Sequence, residues 1–526
     1  MFPITRRRAA LLLVLIVAFA AGLRLWNHDF DPLESSKPLY HDGWAKFVMA
    51  NRVAQGEFRP EHYKQPAFLI YTSGLLLRAS AFLGYTDGEF LWRLIVLYMV
   101  ACSVATVGVT YCIAGTVFER RGPALLAAAF AAAAPASVIG SRYIKEDVPL
   151  ALMVNLSVLF LALLLKTRKL YWYVPAGVFV GLAIATKYSA AGMVLVLVAV
   201  HCFVVLRGER GARLRTAASP WFLGGLVSVP LLFLLVNPYI IPDWALFHRT
   251  LSDQIAYAAQ GHNDGTAVRG CQYCWMFYVT HALLPGMTLP LFTASMIGAM
   301  WAASRRERVA VFLLAWVVFF YLNLENSPAK PFPFFVRYVH SLFPALCIFA
   351  ALLFGRLLDS CGSRRSGRYM VTVAAAGCLL VPLLTSALVT SGTKHDTRMA
   401  ATEWINANLE EGATVYLDDV FYSPRPDPER FVVDYRKRMY HASLETLRKR
   451  KVDYVVLNSF RTERYRACRA FSGEASRIYD YYVQLEQTGR LVREFAPRFR
   501  CQEYGFHNPV IKVYRLPWAG KGNHEL

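Results

Sequence analysis

From residue 9 onward the chain alternates long apolar stretches with short clusters of arginine and lysine. A helix needs roughly 20 mostly apolar residues to cross the hydrocarbon core of a bilayer. Within lipid, only helices and closed barrels satisfy their own backbone groups. The pattern therefore restricts the chain to a polytopic α-helical membrane protein. Stretches of this kind fall at 9–26, 93–117, 123–140, 148–165, 170–187, 189–206, 220–236, 283–303, 309–323, 338–355 and 370–390. That reading predicts about eleven spans.

Composition narrows the alternatives. The chain has 526 residues, 56% of them hydrophobic, with 57 Lys+Arg against 36 Asp+Glu and a net charge of +21. It carries too much apolar surface for a disordered chain, and ten cysteines are too sparse for a disulfide scaffold. The basic residues group at 6–8, 120–121, 166–169, 207–215, 305–308 and 364–368, between the apolar stretches. This is the placement of cytoplasmic loops under the positive-inside rule. Anionic lipid head groups account for it without a nucleic acid.

With Arg6–Arg8 inside, every basic cluster falls inside. Residues 66–83 are apolar enough to count as a further span, but a crossing there would turn all later clusters outward. They are expected to lie in the outer interface or to re-enter, and Arg78 within them disfavours a lipid-exposed span. The N-terminus is expected in the cytoplasm, and the first span lacks a small-residue cleavage site. Residues 1–390 are read as a transmembrane domain with a first outer loop at about 27–92 and a fourth outer segment at about 237–282. The tail, 391–526, alternates helix with strands near 414–417, 454–457, 491–496 and 509–515, which predicts a small extracytoplasmic α/β domain.

Cys468 and Cys501 are the only cysteines of the tail, and a disulfide between them is plausible in an oxidising compartment. Cys271 and Cys274 form a C-x-x-C with no second half, so a local disulfide or free pair is favoured over a redox or zinc site. No Walker, H-E-x-x-H or paired C-x-x-C motif occurs, leaving cytosolic nucleotide chemistry unsupported.

Ionisable residues beside a membrane are costly and mark function. Asp42, in Tyr40-His41-Asp42-Gly43, suits a general base or a metal ligand and equally a helix cap. Glu146-Asp147 beside Arg142 and Lys145 exceed what a cap requires. Lys64, Lys187 and Arg337 are cations on the side opposite the basic clusters, as an anionic, lipid-linked ligand would need. His262-Asn263-Asp264 could complete a metal site or contact substrate, although a Gly-flanked run of this kind is more often a turn.

These pieces, in this order, resemble the GT-C glycosyltransferases of the dolichyl-phosphate-mannose-protein mannosyltransferase type (glycosyltransferase family 39 and its bacterial relatives). The resemblance is carried by Tyr40-His41-Asp42, Tyr63-Lys64-Gln65-Pro66, Trp92-Arg93, Ser141-Arg142-Tyr143 with Glu146-Asp147, Thr186-Lys187-Tyr188, Arg337-Tyr338 and Asp396-Thr397-Arg398, and covers residues 1 to about 415. It implies a polyprenyl-phosphate-linked sugar donor and inversion at the anomeric carbon. Asp42 would be the base, with Asp147 assisting it or sharing a divalent metal, while Lys64 and Arg337 would hold the donor phosphate and Lys187 would line the cavity. His41, Arg142 and Asp264 are further site candidates. A divalent metal is left open, with Glu146 and His262 as its ligands. The family often shows Asp-Glu in the first loop; here Gly43 takes the second place, with Asp29 and Asp31 nearby.

The sequence thus points to a glycosyltransferase of a bacterial inner membrane, working on the periplasmic face among membrane lipids. Its acceptor would be a glycolipid, polysaccharide or protein. The competing readings are a lipid or small-solute transporter, for which no internal repeat is found, and a non-catalytic assembly protein.

Overall fold

The computed structural model describes residues 5–28, 39–260, 275–327, 336–419, 421–435, 443–470, 473–499 and 504–519. His262, Asp264, Asp29, Asp31, the C-x-x-C cysteines and Cys501 lie outside the described residues. The helices in order are α1 (Arg6–Leu25), α2 (His41–Ala54), α3 (Phe68–Phe82), α4 (Gly88–Val117), α5 (Arg121–Ala133), α6 (Pro135–Gly140) and α7 (Asp147–Thr167). Then come α8 (Tyr173–Thr186), α9 (Gly192–Arg207), α10 (Arg213–Ala217), α11 (Pro220–Val236), α12 (Trp244–Gln260), α13 (Leu284–Met287) and α14 (Leu289–Arg305). After α15 (Arg308–Asn326), α16 (Phe343–Ser360) and α17 (Arg365–Gly392), the C-terminal domain adds α18 (Thr397–Asn408), α19 (Leu444–Lys449), α20 (Ser459–Cys468) and α21 (Gly473–Thr488).

Among the described residues, eight helices are long and apolar enough to cross a membrane. The stretch Val279–Met287 with α14, bent by 105°, makes a ninth if it is one span. The difference from eleven has local causes. The stretch 123–140 is not one helix, because Pro135 has no N–H to offer and α5 stops before it, with Ala134 at ψ 118°. The carbonyls this break leaves open are met by the buried guanidinium of Arg24, which donates to Ala132 O at 3.1 Å, Ala131 O at 3.5 Å and Ser103 Oγ at 2.8 Å. The stretch 170–187 forms only Leu170–Thr186, ending where Lys187 turns extended. Residues 66–83 form α3, 15 residues long and too short to span unaided, with Leu75, Phe82 and Leu83 exposed.

Where helices approach closely, glycine makes the contact. A Cβ on Gly177 of α8 would lie 1.9 Å from the Gly225 carbonyl oxygen of α11. A Cβ on Gly74 of α3 would lie 2.5 Å from Val53 of α2. Small residues let backbones approach where lipid supplies no hydrophobic drive for helix pairing. The second contact seats α2, whose first turn carries Asp42, on α3.

The C-terminal domain holds a five-stranded sheet, order β2-β1-β3-β5-β4, from β1 (Thr414–Leu417), β2 (Val432–Tyr435), β3 (Tyr454–Asn458), β4 (Arg490–Phe495) and β5 (Ile511–Arg515). β1 runs parallel to β2 and β3, whereas β5 is antiparallel to β3 and β4. All five residues of β3 are buried, as a central strand requires. β2 and α20 were not expected from the sequence. The loop after β1, the first turn of α20 and the segment before β5 meet the membrane domain. There Tyr422, Phe460 and Phe506 pack with Tyr40, Ile139, Tyr143 and Val389. Asp396 and Arg398 lock this junction. Their side chains form a fork at 2.8 Å on both arms, and Arg398 also donates to Leu39 O and Phe506 O.

Candidate functional site

Two helix N-termini converge beneath this junction, α2 with Asp42 and α7 with Asp147. Such ends favour anions, yet neither carboxylate caps its own helix. Both reach across to cations instead. Lys145 Nζ lies 2.6 Å from Asp42 Oδ2. Lys46, four residues along α2 from Asp42, pairs with Glu146 and also hydrogen-bonds to Gln65. Lys187 Nζ is 2.7 Å from Asp147 Oδ1, and Arg337 Nε is 3.4 Å from Asp147 Oδ2. Lys145 reaches Glu146 Oε2 at 4.0 Å, which joins the Asp42 and Lys46 pairs.

The cluster holds four cations and three carboxylates, a surplus of one positive charge. Burial within it is uneven. The Glu146 and Asp147 side chains are 3% exposed, whereas Asp42 leaves 47% of its side chain accessible. Asp42 is thus the carboxylate a dissolved molecule can reach. Its surroundings hold it ionised: burial would raise its pKa, but Lys145, Arg337 and Lys46 together take it well below the usual carboxylate range. Glu146 behaves alike, burial raising its pKa and Lys46 and Lys145 more than offsetting that. Burial lowers the Lys46 pKa, against the pull of Glu146.

Aromatic rings wall the cluster. Arg337 lies 5.2 Å from the ring of Phe506 and 5.6 Å from that of Tyr338, and Lys187 sits 4.3 Å over Tyr338. The Tyr40 hydroxyl lies 3.4 Å from both Asp42 Oδ2 and Arg337 Nη1. His41 packs at 4.0 Å between ring centroids, tilted by 35°, on Phe421 of the C-terminal domain. Tyr40, Lys145, Asp147, Arg337, His340 and Phe506 line a crevice of about 20 Å³, room for about one water.

The structure therefore brings together Asp42, Glu146, Asp147, Lys187 and Arg337, with His41 at the rim. Arg142 points elsewhere. It donates to Leu23 O and Thr390 Oγ1, both at 3.1 Å, and ties the outer ends of α1 and α17 together. Lys64 is exposed, and among the described residues no ion pair joins it to the cluster. Lys46 was missed by the sequence reading, and Lys145 was noted only as a neighbour. The spacing of Asp42 and Lys46, four apart on one helix face, was the available signal. Among the described residues, no three His, Cys, Asp or Glu side chains converge on a point where a metal would sit. The carboxylates are already engaged by lysine and arginine, so the described donor set does not fit a metal.

Residues 88–241 match the family described as dolichyl-phosphate-mannose-protein mannosyltransferase. No curated protein matches the chain. The structure is similar to that of ArnT from Cupriavidus metallidurans in the apo state, at TM-score 0.53 and 16% identity, over 96% of this chain and 98% of that one. The same protein bound to undecaprenyl phosphate gives TM-score 0.51 and 17% identity, with the same shares. The Archaeoglobus fulgidus oligosaccharyltransferase in complex with Zn and sulfate gives 0.55 and 15%, over 89% of this chain and 71% of that one. The chain has a GT-C glycosyltransferase fold.

Proposed function

We propose that the chain is an inverting glycosyltransferase that moves a sugar from a polyprenyl-phosphate-linked donor to an acceptor hydroxyl on the outer face of a bacterial inner membrane. The observation that carries this is the charge count of the cluster. A donor phosphodiester bears one negative charge, which the surplus cation balances. During transfer the acceptor oxygen attacks the anomeric carbon as the bond from that carbon to the phosphate oxygen breaks. The acceptor proton passes to Asp42, and the leaving phosphate gains the negative charge that Asp42 loses. The site is neutral before and after, and its fixed cations meet the charge where it develops.

In this scheme the resting Asp42 is a poor base because Lys145 grips it. A phosphate that draws Lys145 and Arg337 toward itself leaves Asp42 free to accept a proton, which couples base strength to donor binding. Asp147 holds Lys187 and Arg337 in place for the phosphate. Lys64, exposed in the loop before α3, is a first contact for the donor arriving from lipid. The present crevice admits no sugar ring, so the 504–508 segment must swing away from Tyr40 for the donor to enter. The full-length likeness to a protein solved with undecaprenyl phosphate supports the choice of carrier. The cytoplasmic N-terminus, the periplasmic outer domain and the division near residue 390 belong to the same proposal. The sugar is a hexose or pentose, and the acceptor a glycolipid, polysaccharide or protein.

The test is transfer in nanodiscs from a panel of radiolabelled polyprenyl-phosphate sugars, scored by release of free polyprenyl phosphate and by the anomeric configuration of the product. Retained configuration would refute the mechanism. Sugar-lipid that crosses liposomes without being cleaved would replace the enzyme with a transporter.

A further inference from the structure

A cavity outside the charge cluster lies in the C-terminal domain. It has a volume of about 400 Å³, within the range of small-molecule sites. One wall is a single face of α20, with Ser459, Thr462, Glu463 and Arg466 at helical spacing. The opposite wall is a single face of α21, with Tyr479, Tyr482 and Glu486. Val510 and Lys512, at the start of β5, contribute from the sheet. The Tyr482 ring is fixed, because its hydroxyl donates to Asp418 Oδ1 at 2.6 Å.

The chemistry of the walls selects the occupant. Arg466 Nη2 is 2.5 Å from Glu463 Oε2, and Lys512 Nζ is 3.2 Å from Glu486 Oε1. Both cations of the cleft are thus engaged, and Glu494 adds a further carboxylate. An anionic ligand would have to break these pairs and meet uncompensated negative charge. A sugar hydroxyl donates and accepts at once, so it bridges a carboxylate and its cation without separating them, and the half-buried ring of Tyr479 matches the apolar face of a pyranose, with the buried Tyr482 behind it. A peptide would gain most from an open strand edge. β5 offers none, since β3 and β4 pair with it on both sides, whereas β4, which supplies Glu494, is an edge strand, so a peptide is kept as the competing arm of the test.

We infer that this cleft binds a neutral, polyhydroxylated glycan chain. Its position relates it to the charge cluster. On the same helix α20, Phe460 packs on Tyr422 and Phe506, and Arg461 Nε is 2.5 Å from Asp419 Oδ2, beside the junction that roofs Asp42. Cleft and junction are thus separated by about one helix diameter, roughly 10 Å. The cleft is placed to hold the part of an acceptor glycan remote from the reacting hydroxyl. That last link rests on the glycosyltransferase reading, whereas glycan binding itself does not.

Binding is therefore measured without transfer. The full chain in nanodiscs is titrated with mannohexaose, maltohexaose and N-acetylchitohexaose, with a heparin hexasaccharide and with an end-blocked neutral hexapeptide, read by saturation-transfer NMR. The expected result is binding of at least one neutral hexasaccharide, weakened tenfold or more by Tyr479→Ala and severalfold by Glu494→Gln. Glu494 is exposed, so its variant keeps the test valid if Tyr479→Ala misfolds. Three outcomes overturn the inference: no neutral glycan binds, the heparin fragment or the peptide binds instead, or glycan binding is untouched by the cleft variants.

Discussion

Lys145 holds Asp42 at 2.6 Å, and Asp42 is the one carboxylate of the cluster with about half its side chain open to solvent. A base with this geometry acts on a dissolved acceptor only after its cation is drawn elsewhere. Asp42→Asn keeps the shape and removes the proton acceptor, so transfer is expected to fall ~10²–10⁴-fold with donor affinity retained. Turnover and donor affinity measured on the same folded preparation decide this. Full activity in Asp42→Asn would move the base elsewhere.

Asp147 is 3% exposed and lies between Lys187 and Arg337. Removing the acid partner of a buried pair leaves uncompensated charge and costs about 3–5 kcal/mol. Asp147→Asn is expected to lower the melting midpoint and to weaken donor binding, because both phosphate-facing cations lose their anchor. Arg337→Lys keeps the charge but loses the planar fork, and is expected to raise the donor Kd roughly tenfold at nearly unchanged melting. Equal melting losses in the two variants would count against separate roles for acid and cation.

Lys46 and Lys64 flank the same loop but stand in different environments. Lys46 is buried against Glu146, and Lys64 is exposed without an ion pair among the described residues. Lys46→Met is expected to reduce kcat tenfold or more by upsetting the neutrality of the cluster. Lys64→Ala is expected to raise the donor KM with kcat within twofold. Steady-state kinetics at varied donor separate the two, and a kcat effect at Lys64 would place it inside the reacting site instead.

The carboxylates and cations of the outer face were legible because charge stands out in apolar sequence: Asp42, Glu146, Asp147, Lys187 and Arg337 all meet in space. Lys46 was hidden inside the amphipathic pattern of α2, where a lysine reads as surface. Arg142 misled for the reverse reason. It neighbours the acidic pair in sequence, yet its backbone position aims the side chain at Thr390. The roof made by Phe421, Tyr422 and Phe506 is a tertiary product of residues 381 to 466 positions from Tyr40, and no local pattern announces it. Hydropathy located the apolar helices well but not their breaks, as Pro135 in an alanine-rich run shows.

The last expectation concerns pH. Asp418 is buried behind β1, and burial lifts its pKa to about 7, with Asp419 adding to the rise and the Tyr482 hydroxyl opposing it. His507 is buried at the junction with its Nδ1 hydrogen-bonded to Tyr143, and burial takes its pKa down to about 3 against the pull of Asp396. Between roughly pH 4 and 7 the folded Asp418 keeps a proton that the unfolded chain has lost, so its contribution to stability falls as pH rises. Between about pH 3 and 6.5 the unfolded His507 carries a proton that the folded chain refuses, so its contribution rises with pH. The two slopes oppose each other across the shared window, and each variant unmasks the other. Relative to the wild type, Asp418→Asn is expected to gain in melting midpoint as pH is raised from 4.5 to 7, and His507→Gln to lose over the same range. Melting curves at four pH values in one detergent provide the check. Variant and wild-type midpoints that move in parallel would show that neither group titrates differently on unfolding.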